Sequence, residues 1–171
     1  MKPLLILRDE DIFLGSQSLD GAEYVTRVAV KVIVFDAENK IALAGTRYRL
    51  FPGGGVEEGE SLIEAVLREY REEVGGTIEV EKEIAWTEEY RARIGRRQET
   101  HYFIAKIVGD KGSPETTQHD EQGIETEWLS LEGATLLLEK QVNEIPFESY
   151  NACFNVRTHL AVLTLFKNML N

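Results

Sequence analysis

The amino-acid sequence predicts an α/β fold in which a mixed β-sheet carries helices on both faces. Three observations predict it. The segment Val25–Phe35 sets Val28, Val30, Val32 and Val34 against Ala29, Ile33 and Phe35, so both faces of one strand are apolar and both need cover. Strand-like and helix-like segments are mingled along the chain rather than grouped. A length of 171 residues, 43% hydrophobic and 29% charged, suits one domain with a substantial core.

Residues 1–23 read as an N-terminal extension with one strand and a loop, and 24–171 as a single domain. The apolar run Leu4–Leu7 is followed at once by Arg8, Asp9, Glu10 and Asp11, which fits neither a signal peptide nor a membrane span. After the strand at Val25–Phe35, Asp36–Asn39 forms a tight turn into a second strand at Lys40–Leu43. Arg47–Glu60 is a loop containing Pro52, the run Gly53, Gly54, Gly55, and Gly59. Ser61 opens a helix with Glu64 completing a capping box, and Gly75 and Gly76 close it. Strands are expected at Ile78–Tyr90, His101–Val108 and Ile124–Leu129, with a long polar loop at Gly109–Gly123. Helices are expected at Leu131–Lys140 and Asn155–Leu170. The second is apolar on more than one face and could pack on the sheet or form a homodimer contact.

The net charge of −11 weighs against a nucleic-acid polymer as partner, because polymer binding leaves a basic footprint. It leaves room for a small phosphorylated ligand, since a bound cation can supply the local positive charge. Cys153 is the single cysteine, so an intramolecular disulfide is impossible and a reducing, cytoplasmic location is expected.

On a helix from Ser61 to Val74, the residues Ile63, Val66, Leu67, Tyr70 and Val74 fall within one arc of about 100°. Glu69, Glu72 and Glu73 fall on a second arc, and Ala65, one turn before Glu69, is expected to leave room beside them. Three carboxylates so close repel one another. A hard divalent cation turns that repulsion into attraction, and Mg²⁺ commonly completes its shell with water and phosphate oxygens. That chemistry suits a phosphoryl substrate and in-line attack by water. The preceding glycine loop can bring backbone groups close to the same place.

These residues resemble the Nudix hydrolase signature G-x5-E-x7-R-E-U-x-E-E-x-G-U, where U is a bulky aliphatic residue. Gly54, Glu60, Arg68, Glu69, Glu72, Glu73 and Gly75 supply every fixed position, while Tyr70 and Gly76 depart from the two aliphatic ones. The resemblance implies a Nudix-like α/β/α sandwich over about 24–140, with Trp128 near the last strand. It implies metal ligands at Glu69, Glu73, in some members Glu72, and the Gly53 carbonyl, with Mg²⁺ as the cofactor and Mn²⁺ possible. Arg68 is expected to orient the glutamates and Glu60 to support the loop and Arg68. Glu72, Glu73 and Arg68 are the expected catalytic residues, joined by Glu121 as a general base, with Glu125 the alternative and His119 and Asp120 as neighbours. Gly54, Gly55, Glu57 and Arg47 are the expected substrate-binding residues.

The implied reaction is cleavage of the diphosphate linkage in a nucleoside diphosphate joined to another group X, such as a nucleoside triphosphate, a nucleotide sugar or a dinucleoside polyphosphate. The alternative is a nucleotide-binding sensor or regulator without turnover. The partner is a small nucleotide-type molecule, with no membrane and no nucleic-acid polymer. Arg91, Arg93, Arg96 and Arg97 cluster around Gly95; they read either as phosphate capture or, preferably, as charge protecting an edge hairpin. Phe51, Trp86, Tyr90, Tyr102 and Phe147 are candidates for stacking on a base.

Overall fold

The computed structural model describes residues 2–16, 23–115 and 123–170. The elements run β1 (Leu5–Arg8), α1 (Asp9–Ile12), β2 (Val25–Phe35), β3 (Ile41–Gly45), α2 (Leu62–Glu73), β4 (Thr77–Arg91), β5 (Arg96–Val108), β6 (Glu125–Leu129), α3 (Leu131–Glu144) and α4 (Tyr150–Leu170). Six strands form one mixed sheet in the order β1-β4-β5-β2-β3-β6. The β1–β4 and β5–β2 pairs are parallel and the others antiparallel.

The alternation in β2 builds the two layers. Val30, Val32 and Val34 face α2 and pack with Val66, Tyr70 and Val74. Ile33 faces the other way, into a second core with Leu138 of α3 and Val162, Leu163 and Phe166 of α4. The apolar side chains of α4 therefore close the sheet, which is the first of the two roles left open for them. A third cluster joins Ile12 and Phe13 at the end of α1 to Cys153, Phe154 and Val156 of α4. The N-terminal segment thus adds an edge strand and part of this core. Its Asp9 carboxylate accepts from the Ala92 amide at 3.0 Å and the Tyr150 hydroxyl at 2.5 Å, pinning the β4–β5 turn to the start of α4.

The glycine loop lies against β2 like a short strand. The amides of Val30 and Val32 donate to the carbonyls of Gly54 and Pro52 at 2.9 and 3.0 Å, and the Val56 amide donates to Val28 at 3.0 Å. Gly53 has φ 134°, and a Cβ there would collide with the Val30 carbonyl. At Gly54 a Cβ would run into the Glu69 carboxylate. The glycines therefore let the loop lie close to β2 and to the Glu69 carboxylate of α2.

Three expectations are corrected. Ile63 is 43% exposed, and Leu62 takes its inward place. Ala65 is fully buried in the α2-side core, so its small size lets the helix approach the sheet and opens no space for a ligand. β5 begins at Arg96 rather than His101 and lies between β4 and β2, so the arginines around Gly95 do not guard a sheet edge.

Candidate active site

Helix α2 starts as its sequence dictates. The Ser61 hydroxyl accepts from the Glu64 amide at 3.3 Å, and the Glu64 carboxylate accepts from the Ser61 amide at 2.8 Å. This fixes the helix phase that brings Arg68, Glu69, Glu72 and Glu73 to the glycine loop.

Arg68 organises the carboxylates. Its Nε and Nη2 donate to the two oxygens of Glu60 at 2.8 and 2.9 Å. Nη1 donates to Glu69 at 2.9 Å and Glu72 at 3.2 Å, and Nη2 also reaches the Gly55 carbonyl at 2.9 Å. Led by the Glu60 contacts, these bonds raise the guanidinium pKa further, so it stays charged. In return Arg68 holds the Glu60 carboxyl below the usual carboxylate range. Glu69 is only 7% exposed. The Gly53 amide donates to Glu73 Oε2 at 2.8 Å, and the Gly53 carbonyl accepts from the Lys31 ammonium.

Among the described residues, no three carboxylate, histidine or cysteine side chains gather closely enough to hold a cation by themselves. Arg68 engages one oxygen each of Glu69 and Glu72, and the Gly53 amide engages one of Glu73. The donor set of Glu69, Glu72, Glu73 and the Gly53 carbonyl is all oxygen. It suits a hard divalent cation that takes one or two carboxylates and fills its shell with water and substrate phosphates.

On the opposite face of the sheet, Gly53 and Gly54 line a cavity of about 390 Å³. Its wall is basic, with Arg27 and Lys31 from β2, Arg91 from β4 and Arg96 from β5. Helix α4 adds Asn151, Asn155, Thr158 and His159. Arg91 is buried and donates through Nε to Glu89 at 2.7 Å, through Nη1 to Asn151 at 2.9 Å and through Nη2 to Asn155 at 2.6 Å. His159 Nδ1 accepts from the Phe51 amide at 3.0 Å. Burial, aided by Lys31 and Arg91, drives the His159 pKa well below its usual value, so the ring is neutral. A neighbouring cavity of about 360 Å³ contains Glu73, Arg47 and Tyr48 and shares Lys31, Asn151 and Asn155 with the first.

The structure brings Arg68, Glu69, Glu72, Glu73, Gly53, Gly54 and Gly55 together, and places Arg47 in the cavity that Glu73 lines. Glu57 is exposed and lines a separate groove with Glu60, Arg68 and Arg71. Glu121, His119 and Asp120 lie outside the described residues. Glu125 is paired with Arg49 and largely exposed. Trp128 is half-buried beneath the Lys111 ammonium, which sits 4.2 Å from the ring centroid.

Among the stacking candidates, Phe51 and Tyr102 are buried, with Phe51 stacked on His159 at 5.0 Å. Trp86 stacks on His101 and Tyr90 meets Tyr24 edge-on, while Phe147 is exposed. Of the arginine cluster, Arg91 and Arg96 line the basic cavity. Arg93 lies over Phe13 at 4.2 Å, and Arg97 pairs with Glu88. Sequence reasoning passed over Arg27 and Lys31, which share the odd-numbered face of β2 with Ala29. It also passed over the polar series Asn151, Asn155 and His159, spaced by four on an otherwise apolar helix. Both periodicities were open to reading.

A NUDIX domain model matches residues 25–152. No curated protein matches the chain. Among solved structures, the MutT protein from Methanosarcina mazei Go1 is similar at 20% identity and TM-score 0.57, over 85% of this chain and 97% of that one. A Nudix hydrolase from Nitrosomonas europaea is similar at 22% identity and TM-score 0.54, over 78% and 89%. A C. elegans Ap4A hydrolase binary complex is similar at 16% identity and TM-score 0.52, over 83% and 97%. At these identities the likeness to solved structures is one of fold. The match across β2 through the first residues of α4 shows that the chain belongs to the Nudix hydrolase family.

Proposed function

We propose that the chain hydrolyses the diphosphate linkage of a nucleoside diphosphate joined to a group X, with Mg²⁺ or Mn²⁺ held by Glu69, Glu72, Glu73 and the Gly53 carbonyl. One observation carries this reading. An acidic cluster on α2 and a basic cavity on the α4 face meet at Gly53 and Gly54, so a cation and a polyanion can bind side by side. When bound, the cation would neutralise charge on the diphosphate and activate a water.

The chain's own residues do the positioning. Arg68 holds Glu60, Glu69 and Glu72 in place through hydrogen bonds, and the Gly53 amide orients Glu73. Glu72 and Glu73 are candidates to take a proton from the attacking water, and Glu121 is the further candidate. Lys31 and Arg47, beside Glu73, offer counter-charge to phosphate oxygens. Cavities of about 390 and 360 Å³ support a small nucleotide-type substrate.

The test is incubation with Mg²⁺ or Mn²⁺ and a panel of nucleoside triphosphates, nucleotide sugars and dinucleoside polyphosphates, with products separated. Two phosphorylated products that vanish on adding a chelator support the reading. Protection against heating by a panel member that is never cleaved would favour the regulator instead.

A further inference from the structure

We propose that the basic cavity on the α4 face binds a phosphate monoester carried by the group X, beyond the diphosphate that is cleaved. This rests on the hydrolase reading above and names the class of X.

Cations outnumber carboxylates on the cavity's described wall, although Glu69 behind the glycine loop also acts on Arg27. Glu89 is the one carboxylate on its described wall, and it is committed to Arg91. Among the described residues, Arg27, Lys31 and Arg96 form no ion pair. Arg27 donates to Gln98 at 3.2 Å and Lys31 donates to the Gly53 carbonyl, while the Arg96 side chain makes no hydrogen bond to a described residue. Three unpaired cations in one cavity are conspicuous in a chain of net charge −11. They repel one another, and Arg96 and Arg91 help burial lower the Arg27 pKa. A dianion placed among them converts that repulsion into charge-assisted hydrogen bonds.

The floor of the cavity points the same way. Tyr102 is fully buried and lines the cavity, with its hydroxyl beside those of Thr158 and Thr87. The cavity also lacks a platform for a nucleobase. Its two rings, Tyr102 and His159, are buried against each other edge-on at 5.7 Å, and His159 stacks on Phe51. A neutral sugar would leave Arg27 and Arg96 without a counter-charge. Because the cavity shares Gly53 and Gly54 with the acidic cluster, and Lys31, Asn151 and Asn155 with the cavity of Glu73, one molecule can reach both.

ADP-ribose and ADP-ribose 1″-phosphate differ by one phosphate monoester on X and make the test. We expect wild type to favour the 1″-phosphate in kcat/KM with Mg²⁺ by about tenfold or more, the worth of charge-assisted contacts. Arg96→Ala and, separately, Arg27→Ala should pull that preference towards unity, while Arg93→Ala, outside the cavity, should keep it. Melting curves confirm folding of each variant. Equal kcat/KM for the two compounds in wild type overturns the proposal. So does an equal loss on both compounds in the variants, which would assign the arginines to the cleaved diphosphate. Metal-free calorimetry separates the two readings. Tighter binding of the 1″-phosphate that Arg96→Ala abolishes upholds this proposal even where wild type turns over neither compound, and the hydrolase reading is then decided by the wider nucleotide panel above. Equal or absent binding of both compounds overturns this proposal.

Discussion

Arg68 shows how one side chain converts a repulsive patch into a usable one. Its planar fork reaches Glu60, Glu69, Glu72 and the Gly55 carbonyl at once, a span that an ammonium point charge cannot reproduce. Arg68→Lys should lower kcat/KM by about tenfold or more through misplaced carboxylates. It should also lower the melting temperature, because Glu69 stays buried with poorer pairing. Steady-state kinetics beside a melting curve checks this, and unchanged kinetics would mean that the carboxylates position themselves. His159 belongs to the same scale. Its folded pKa lies below the ordinary 6.5, so the unfolded chain binds the extra proton as pH falls. The stability it contributes is full above 6.5 and is lost as pH drops towards the folded value. His159→Gln should therefore narrow the difference between urea midpoints measured at about pH 7.5 and about pH 5.5. An unchanged difference would show that the ring is protonated in the folded state.

At the scale of elements, what the sequence revealed depended on whether side-chain type and position agreed. Val25–Phe35 was legible in full because both faces carry apolar residues, and α2 because Ser61, Glu64 and Gly75 mark its ends. The start of β5 was hidden. Arg96, Gln98 and Thr100 look like a loop because they are polar, yet they are polar because they line a cavity. The two arcs on α2 were legible as directions, but a helix cannot say how far its partner sheet extends. Here the sheet reaches round to Ala65 and Glu69, and the buried stripe turns from Ile63 towards them. Ala65→Leu should consequently cost about 1–3 kcal/mol of stability by overpacking against the sheet. Chemical denaturation measures it, and a neutral result would mean that the space beside Glu69 is open after all.

At the scale of the molecule, two sites of opposite charge meet at the Gly53–Gly54 loop. The signature on α2 made the acidic one legible, since all its residues fall within one stretch of sequence. The basic one draws on β2, β4, β5 and α4, and no local pattern joins residues as distant as Arg27 and His159. The N-terminal segment also acts at this scale, because Asp9 holds the turn between Arg91 and Arg96 against the start of α4. The α2 carboxylates beside Gly53 are proposed to support hydrolysis of a diphosphate. The most direct test of that claim is turnover of the best panel substrate by wild type and Glu73→Gln at saturating Mg²⁺. Glutamine can still accept from the Gly53 amide, so the fold should persist, while turnover should fall by about 100-fold or more. Equal turnover by the two proteins would contradict the claim.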